Sequence, residues 1–401
     1  MINSFPDYKY VDGKNIFKDE DVGRGGLVWA IPGMYYRVYT FDVRSMHPSS
    51  IIAMRYFGEY TNIYEDMVNA RAAIKHKDYD LAKKLMNGML APFLENIDDE
   101  TAKSISNALK IVLNSCYGLT SAGFPNVMKH KDNINNIVAL RGALFMATLK
   151  DEVIKQGGQP FHIKTDSIKI VNPSEELKQF IFDFGKQYGY EFEIEHIFEK
   201  ICLVNNAVYI AKLANDDPDS PGKWTATGAQ FQHPYIFKTV FSHEVIDFED
   251  YCETKEVKNP YNLYLDMNED LGEDDHNYQF VGRVGLFCPV NPGAGGGVLV
   301  KTKGEKYDAV SGTKGYRWLE AEAIKQIGLE SEIDMSYFRK LVDDALDQIA
   351  KFGDVEAFIS DDIPEFDPPF DVLPWCDKDD CNSCADRKDC HDLASSFVTN
   401  Y

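Results

Sequence analysis

No stretch of the sequence is apolar for long enough to span a bilayer. The N-terminal MINSFPDYKYVDGK lacks the basic-then-apolar pattern of a secretory signal, so a cytoplasmic location with no membrane partner is expected. Basic charge is scarce: 42 Lys and Arg stand against 64 Asp and Glu, for a net charge of −22. Taken alone, that deficit speaks against a nucleic-acid partner. Its distribution changes the picture. Residues 244–275 hold 12 acidic and 2 basic residues, and 361–390 hold 10 and 3, whereas 101–150 hold 1 acidic and 6 basic. A local basic surface on an acidic body is therefore possible. A phosphate-binding P-loop is also lacking. In NPGAGGGVLVKT, Lys301-Thr302 lies three residues too far from Gly297 for G-x-x-x-x-G-K-[ST], and a tight turn between strands is expected there. Cysteine is sparse, with 8 in the chain. Cys116, Cys202, Cys252 and Cys288 are scattered and read as buried small hydrophobes.

What is present is a 401-residue chain with 44% hydrophobic residues, enough for two or three domains around one large core or two smaller ones. Its organising stretch is Thr40–Ile52, TFDVRSMHPSSII. Val38–Phe41 has the β-branched and aromatic character of a strand, which runs into Asp42, and Pro48 is expected to force a turn. A carboxylate held at the rim of a sheet suits Mg²⁺, which takes a few protein oxygens and completes its shell with substrate phosphates. An isolated D-x-x-S is more often a turn cap.

Residues 60–118 read as helical, with Met67, Ala70, Ile74 and Leu81 near helical spacing and starts near Asp80 and Asp99. Arg71 and Lys75 are four apart and share a face, as do Lys110 and Asn114 in KIVLNSCYG. Two such faces form a clamp for triphosphate oxygens or, more commonly, solvated surface. Gly118 is expected to cap the second helix. A helix over Ile134–Val153 follows, then a strand–turn–strand over Phe161–Val171 with Thr165-Asp166-Ser167 at its tip. Ile201–Lys212 reads as one strand, Asn215–Gly222 as a surface turn, 244–275 as a solvated excursion, and Tyr316–Ile327 and Met335–Ala350 as amphipathic helices. Residues 361–374, rich in Pro and acid, read as an extended linker. Cys376, Cys381, Cys384 and Cys390 follow in C-x4-C-x2-C-x5-C spacing; in a reducing compartment this favours Zn²⁺ over an iron–sulfur cluster or no metal.

Three of these stretches, in order, resemble the polymerase core of family B DNA polymerases. DVRSMHPSS resembles motif A (D-x-x-S-L-Y-P-S), KIVLNSCYG matches motif B (K-x-x-x-N-S-x-Y-G), and IKTDS resembles motif C (D-T-D-S). The likeness runs from about Gly23 to about Lys212 and is to phage-type enzymes, with GTKGYRW at Gly312–Trp318 a softer match. It implies an α+β right-hand polymerase with an antiparallel β palm, helical fingers and a thumb, followed by a small Cys-rich tail. The corresponding boundaries are 1–60 for the lead-in and motif A palm, 61–118 for fingers, 119–243 for the motif C palm, 244–355 for thumb and acidic insertion, and 356–401 for linker and tail. The implied activity is DNA-directed DNA synthesis from a nucleic-acid primer, in phage replication, by two-metal-ion phosphoryl transfer. Asp42 and Asp166 would hold two Mg²⁺ ions. Arg71, Lys75, Lys110 and Asn114 would grip the dNTP phosphates. Ser45 and Met46 would offer backbone to the triphosphate, His47 would lie under the sugar, and Tyr117 beside the new base pair. Gly25 and Gly26, in the glycine-bearing motif before motif A, would contact DNA, as would Gly118 and Tyr209.

The departures are specific. Lys164 replaces the first Asp of D-T-D-S, His47 replaces a tyrosine, and Asn206-Ala207-Val208-Tyr209 retains the tyrosine of K-x-Y without its lysine. Only 41 residues precede Asp42, too few for an exonuclease domain, so proofreading is expected on another chain, in a longer polymerase, or not at all. A separate exonuclease or clamp subunit is a candidate partner of the tail, beside primer-template DNA and dNTPs. The alternative from another class is a catalytically weakened, polymerase-like DNA-binding scaffold.

Overall fold

Tyr39, Phe41 and Val43 alternate along one strand with Val38, Thr40 and Asp42, and that alternation orients the first of two units. The computed structural model describes residues 4–23, 25–129, 136–268 and 275–360; the Pro-rich linker and the four tail cysteines lie outside them. The first unit comprises residues 1–206 and 212–222, and the second comprises 207–211 and 223–368, within the described ranges. Both are mixed α+β with antiparallel strand pairing. Among the described residues no helix is long and apolar enough to cross a membrane.

The first unit opens with a three-stranded meander, β1 (Tyr8–Val11), β2 (Lys14–Phe17) and β3 (Glu20–Asp21), followed by β4 (Val28–Ala30) and β5 (Gly33–Val43). Helices α1 (Met46–Ala53), α2 (Thr61–Lys75), α3 (Tyr79–Ala82), α4 (Asp99–Thr120) and α5 (Ile137–Lys155) come next. Then follow β6 (Gln159–Lys164), β7 (Ser167–Val171), α6 (Glu175–Gln187) and β8 (Phe192–Asn205); β9 (Val208–Leu213) begins in the second unit and ends in the first. Within this unit the main sheet has the order β8-β5-β7-β6-β4. Tyr39, Phe41 and Val43 share a core with Leu140, Leu144, Phe145, Leu149 and Val153 of α5 and Ile181 and Phe184 of α6. Burying a side chain such as Phe41 is worth about 1.5–3 kcal/mol. Strand alternation turns Thr40 and Asp42 to the opposite face.

Several details differ from expectation. Pro48 does not make the turn; it sits in the first turn of α1, where its missing N–H costs no hydrogen bond. Helices α3 and α4 are capped by Asp78 and Asp98, each accepting from an N–H three residues on, rather than starting at Asp80 and Asp99. Gly118 is not a cap, because α4 continues to Thr120 with Ser121 beyond it. Leu81, near helical spacing in the sequence, is 45% exposed. Ile201–Lys212 is two strands, the end of β8 and most of β9, turned at Asn206-Ala207. In the 215–222 turn Asp217 is buried, its carboxylate accepting from the N–H groups of Ile197, Asp219 and Ser220.

The second unit holds β10 (Trp224–Thr227), α7 (Ala229–Gln232), α8 (Pro234–Ile236), β11 (Glu253–Glu256), β12 (Asn262–Asp266), β13 (Tyr278–Gly282) and β14 (Val284–Val290). It continues with β15 (Val298–Thr302), β16 (Asp308–Ala309), β17 (Arg317–Glu320), α9 (Ala321–Ile327), α10 (Met335–Ala350) and α11 (Val355–Ile359). Two sheets, β11-β14-β17 and β13-β12-β15-β16, share a core of Leu263, Leu265, Phe287, Leu299, Trp318 and Phe338. The acidic 244–275 segment is therefore not a solvated excursion throughout: β12 puts Leu263 and Leu265 into this core. Residues 317–320, expected to be helical, form β17 against β14. The turn expected in NPGAGGGVLVKT does join β14 to β15.

Candidate active site

Two turns in the first unit bring the acid pair together. After Asp42 and Val43, Ser45 bends the chain through left-handed backbone (φ 57°, ψ 56°) into α1. The β6–β7 hairpin turns through Thr165, also left-handed at φ 59°, and Asp166. Such backbone costs a non-glycine residue ~1–2 kcal/mol and persists where the surroundings hold it. Here they do. The Val43 N–H donates to the Asp166 carbonyl at 2.9 Å, and the Thr165 N–H donates to the Leu27 carbonyl at 2.8 Å. Gly26, at φ 131°, abuts this turn: a Cβ there would meet Thr165 Cγ2 at 3.0 Å. The β5–β7 register sets Asp42 opposite Ser167, so Asp42 and Asp166 are neighbours at the end of β5.

Their surroundings are acidic. β8 places Glu193 opposite Asp42, and its bulge between Ile194 and His196 carries Glu195. Burial above all, then the charges of Asp166, Glu195 and Glu193, push the Asp42 carboxyl up to about 8, against an opposing pull from Lys169. Lys169, buried on β7 opposite Thr40, is itself pushed down to about 8 by desolvation, offset in part by Glu195 and Asp42.

Asp42 and Asp166 line a cleft of about 400 Å³, together with Ser45, Met46, His47, Arg71, Lys75, Lys110 and Asn114. Nine of the residues singled out in the sequence thus share one cavity. Packing of α2 on α4 through Ala73, Ile74, Ala102 and Leu109 fixes the two cationic helix faces. Arg71 Nη1 donates to Ser45 Oγ at 3.4 Å, while Arg71 Nε is buried with no hydrogen-bond partner. Lys75 pairs with Glu193 at 3.6 Å. His47 stacks on Tyr117 with ring centroids 4.1 Å apart and planes 28° apart, and the Tyr117 hydroxyl accepts from Asn136 at 3.1 Å. Burial lowers the His47 pKa, with Asp166 pulling the other way.

The remaining candidates fall elsewhere. Gly118 and Gly25 have open space where a Cβ would lie. Tyr209 belongs to the second unit, where its N–H donates to Thr227 Oγ1 at 3.2 Å. Cys376, Cys381, Cys384 and Cys390 lie outside the described residues.

Sequence reading passed over Arg44, Glu191 and Glu193, which also line the cleft. Arg44 pairs with Glu191 at 3.2 Å and contacts the His76 ring just past α2. Arg44 sits inside the D-x-x-S stretch and was discoverable there. The alternation in Phe192-Glu193-Ile194 was the signal for Glu193, but only the strand register identifies its face.

Among the described residues no group of three or more His, Cys, Asp or Glu side chains converges as a metal site. The acid pair offers oxygen donors alone. Mg²⁺ needs one or two carboxylates and takes its other ligands from water and phosphate, and a cation would offset the burial and the like charges that raise Asp42. The pair therefore fits Mg²⁺.

No family model matches the sequence, and comparison with curated proteins finds no match. Among solved structures, the family B DNA polymerase from the hyperthermophilic archaeon Pyrobaculum calidifontis is similar at a TM-score of 0.45 and 12% identity. The similarity covers 82% of this chain and 46% of that one, so the chain spans about half the length of the polymerase it resembles.

Proposed function

We propose that the chain carries a DNA-directed DNA polymerase core that adds deoxynucleotides to a primer 3′-hydroxyl. The observation that carries this reading is the convergence of the Asp42–Asp166 pair with Arg71, Lys75, Lys110 and Asn114 in one nucleotide-sized cleft. A ligand that suits both halves is a polyanion accompanied by a divalent cation. The order of motifs in the sequence selects a deoxynucleoside triphosphate. Arg71, Lys75 and Lys110 bind phosphate oxygens, and Asn114 adds a neutral donor. Ser45 and Met46 present backbone where β5 turns into α1. The His47–Tyr117 stack supplies an apolar platform for sugar and base. Asp42 and Asp166 would hold Mg²⁺, which would supply charge stabilisation for attack by the primer hydroxyl and departure of pyrophosphate. On this reading residues 61–118 are the fingers, the main sheet is the palm, 244–355 are the thumb, and primer-template DNA in phage replication is the partner.

Asp166→Asn and Asp42→Ala should each abolish Mg²⁺-dependent primer extension while leaving a folded protein. Extension by either variant at the parent rate refutes the assignment. A second reading, a polymerase-like scaffold without activity, draws on Lys164: it is exposed and placed opposite Ser167, where motif C has a carboxylate. It is selected if the unsubstituted protein binds primer-template without extending it.

A further inference from the structure

The second unit brings two cysteine sulfurs together with no assigned role. β11 and β14 pair Glu253 with Phe287, and one further step of that register sets Cys252 against Cys288. The Val257 N–H donates to the Arg283 carbonyl at 2.9 Å, which makes that pair a hydrogen-bonded one. Alternation along the ladder then makes Cys252–Cys288 a non-hydrogen-bonded pair, the closer of the two antiparallel spacings. That spacing lies within the range a disulfide bridges. The two Sγ atoms are 2.8 Å apart.

The two thiols differ in access. Cys288 is completely buried on the central strand, whereas Cys252 is 8% exposed and lines a hollow of about 280 Å³ with Phe248, Glu249, Leu286 and Lys325. The hydrogen bond from Cys288 lowers the Cys252 pKa against burial and the Glu249 charge, with Lys325 adding to the lowering. One sulfur is thus placed to meet an oxidant arriving from solvent and the other to resolve the product.

We propose that Cys252 and Cys288 are an oxidation site, converted by a hydroperoxide into a reversible cross-strand disulfide. The Cys252 thiolate attacks one peroxide oxygen, breaking the O–O bond to give a sulfenic acid and releasing hydroxide, which takes up a proton as water. The Cys288 sulfur then attacks the Cys252 sulfur. The S–S bond forms as the S–O bond breaks, and the hydroxyl leaves with the Cys288 proton as a second water. Two thiols and one H₂O₂ give one disulfide and two waters, with two electrons passing from sulfur to peroxide. The product ties the Phe248–Tyr251 turn to β14.

The test is peptide mapping of the full chain after H₂O₂ treatment, unfolding in an alkylating agent and digestion. A Cys252–Cys288 linked peptide, lost on dithiothreitol treatment, is expected, while the isolated Cys202 remains alkylated. Recovery of both cysteines as alkylated thiols overturns the proposal, as does Cys252 sulfinic acid beside an unmodified Cys288. In Cys288→Ser the resolving sulfur is gone, so Cys252 should accumulate as a sulfenic acid captured by dimedone. Absence of that adduct in a folded variant also overturns it.

Discussion

Arg71→Ala is the sharpest probe of the cleft. Its guanidinium lines the cavity, makes no ion pair among the described residues, leaves Nε buried without a partner, and has only Ser45 Oγ at 3.4 Å. Burial and the neighbouring Arg44 charge lower its pKa. The parent fold therefore carries the burden of an unsatisfied cation, which a phosphate would relieve. Removing one charge-assisted hydrogen bond to a ligand costs about 1.5–3 kcal/mol, roughly 10- to 150-fold in affinity. Truncation also removes the repulsion from Arg44, so the empty protein should melt no lower than the parent. Lys75→Ala is the internal comparison. Lys75 already pairs with Glu193 at 3.6 Å, so its loss should weaken binding less than the loss of Arg71. Titration calorimetry with a dNTP and Mg²⁺, alongside thermal melts, reads both quantities without requiring turnover. Arg71→Ala binding within threefold of the parent, in a folded protein, refutes the assignment of Arg71 to the triphosphate.

Three other outcomes follow from the same geometry. In metal-free buffer, Asp42 has a folded pKa of about 8 against a reference of 3.8, so the folded state holds the extra proton between those values and stability falls as pH rises from 5 to 8. Denaturant midpoints should show this fall in the parent and a shallower one in Asp42→Asn; equal slopes would contradict it. His47→Ala removes the ring stacked on Tyr117 and should raise ribonucleotide incorporation relative to deoxynucleotide incorporation in competition extension assays, an unchanged ratio meaning that His47 does not guard the sugar. Gly142→Ala places a Cβ 2.5 Å from Sδ of buried Met46, and overpacking of this kind costs about 1–3 kcal/mol, visible as a lower melting temperature together with a raised dNTP KM.

What could be read ahead was local chemistry. Asp42, Lys110, Asn114 and Asp166 were identifiable because each sits in a short stretch whose spacing carries meaning. That Asp42 and Asp166 meet depends on β5 pairing with β7, a long-range contact that no spacing encodes. The misreadings have a common origin in tertiary packing. Acid-rich 244–275 reads as solvated because its charges mask the alternation of Leu263 and Leu265. The chain turns between β8 and β9 at Asn206-Ala207 without a glycine or proline to mark it. Gly118 reads as a stop, but α4 runs two residues past it because a glycine inside a helix weakens it by only about 1 kcal/mol.

The pairing of Lys75 with Glu193, and of Arg44 with Glu191, would change the nature of nucleotide capture on the proposed function. Phosphate oxygens would meet an unpaired cation at Arg71 but would displace carboxylates already seated on Lys75 and Arg44. At Lys75 and Arg44 capture would then be an exchange of one anion for another, and its net electrostatic gain would be smaller than the number of basic side chains implies. Added salt weakens the pairs being broken along with those being made, so ionic strength should depress triphosphate affinity only modestly. The carboxylate of Glu193, freed from Lys75 beside Asp42, would add to the negative charge around the acid pair at the moment substrate arrives.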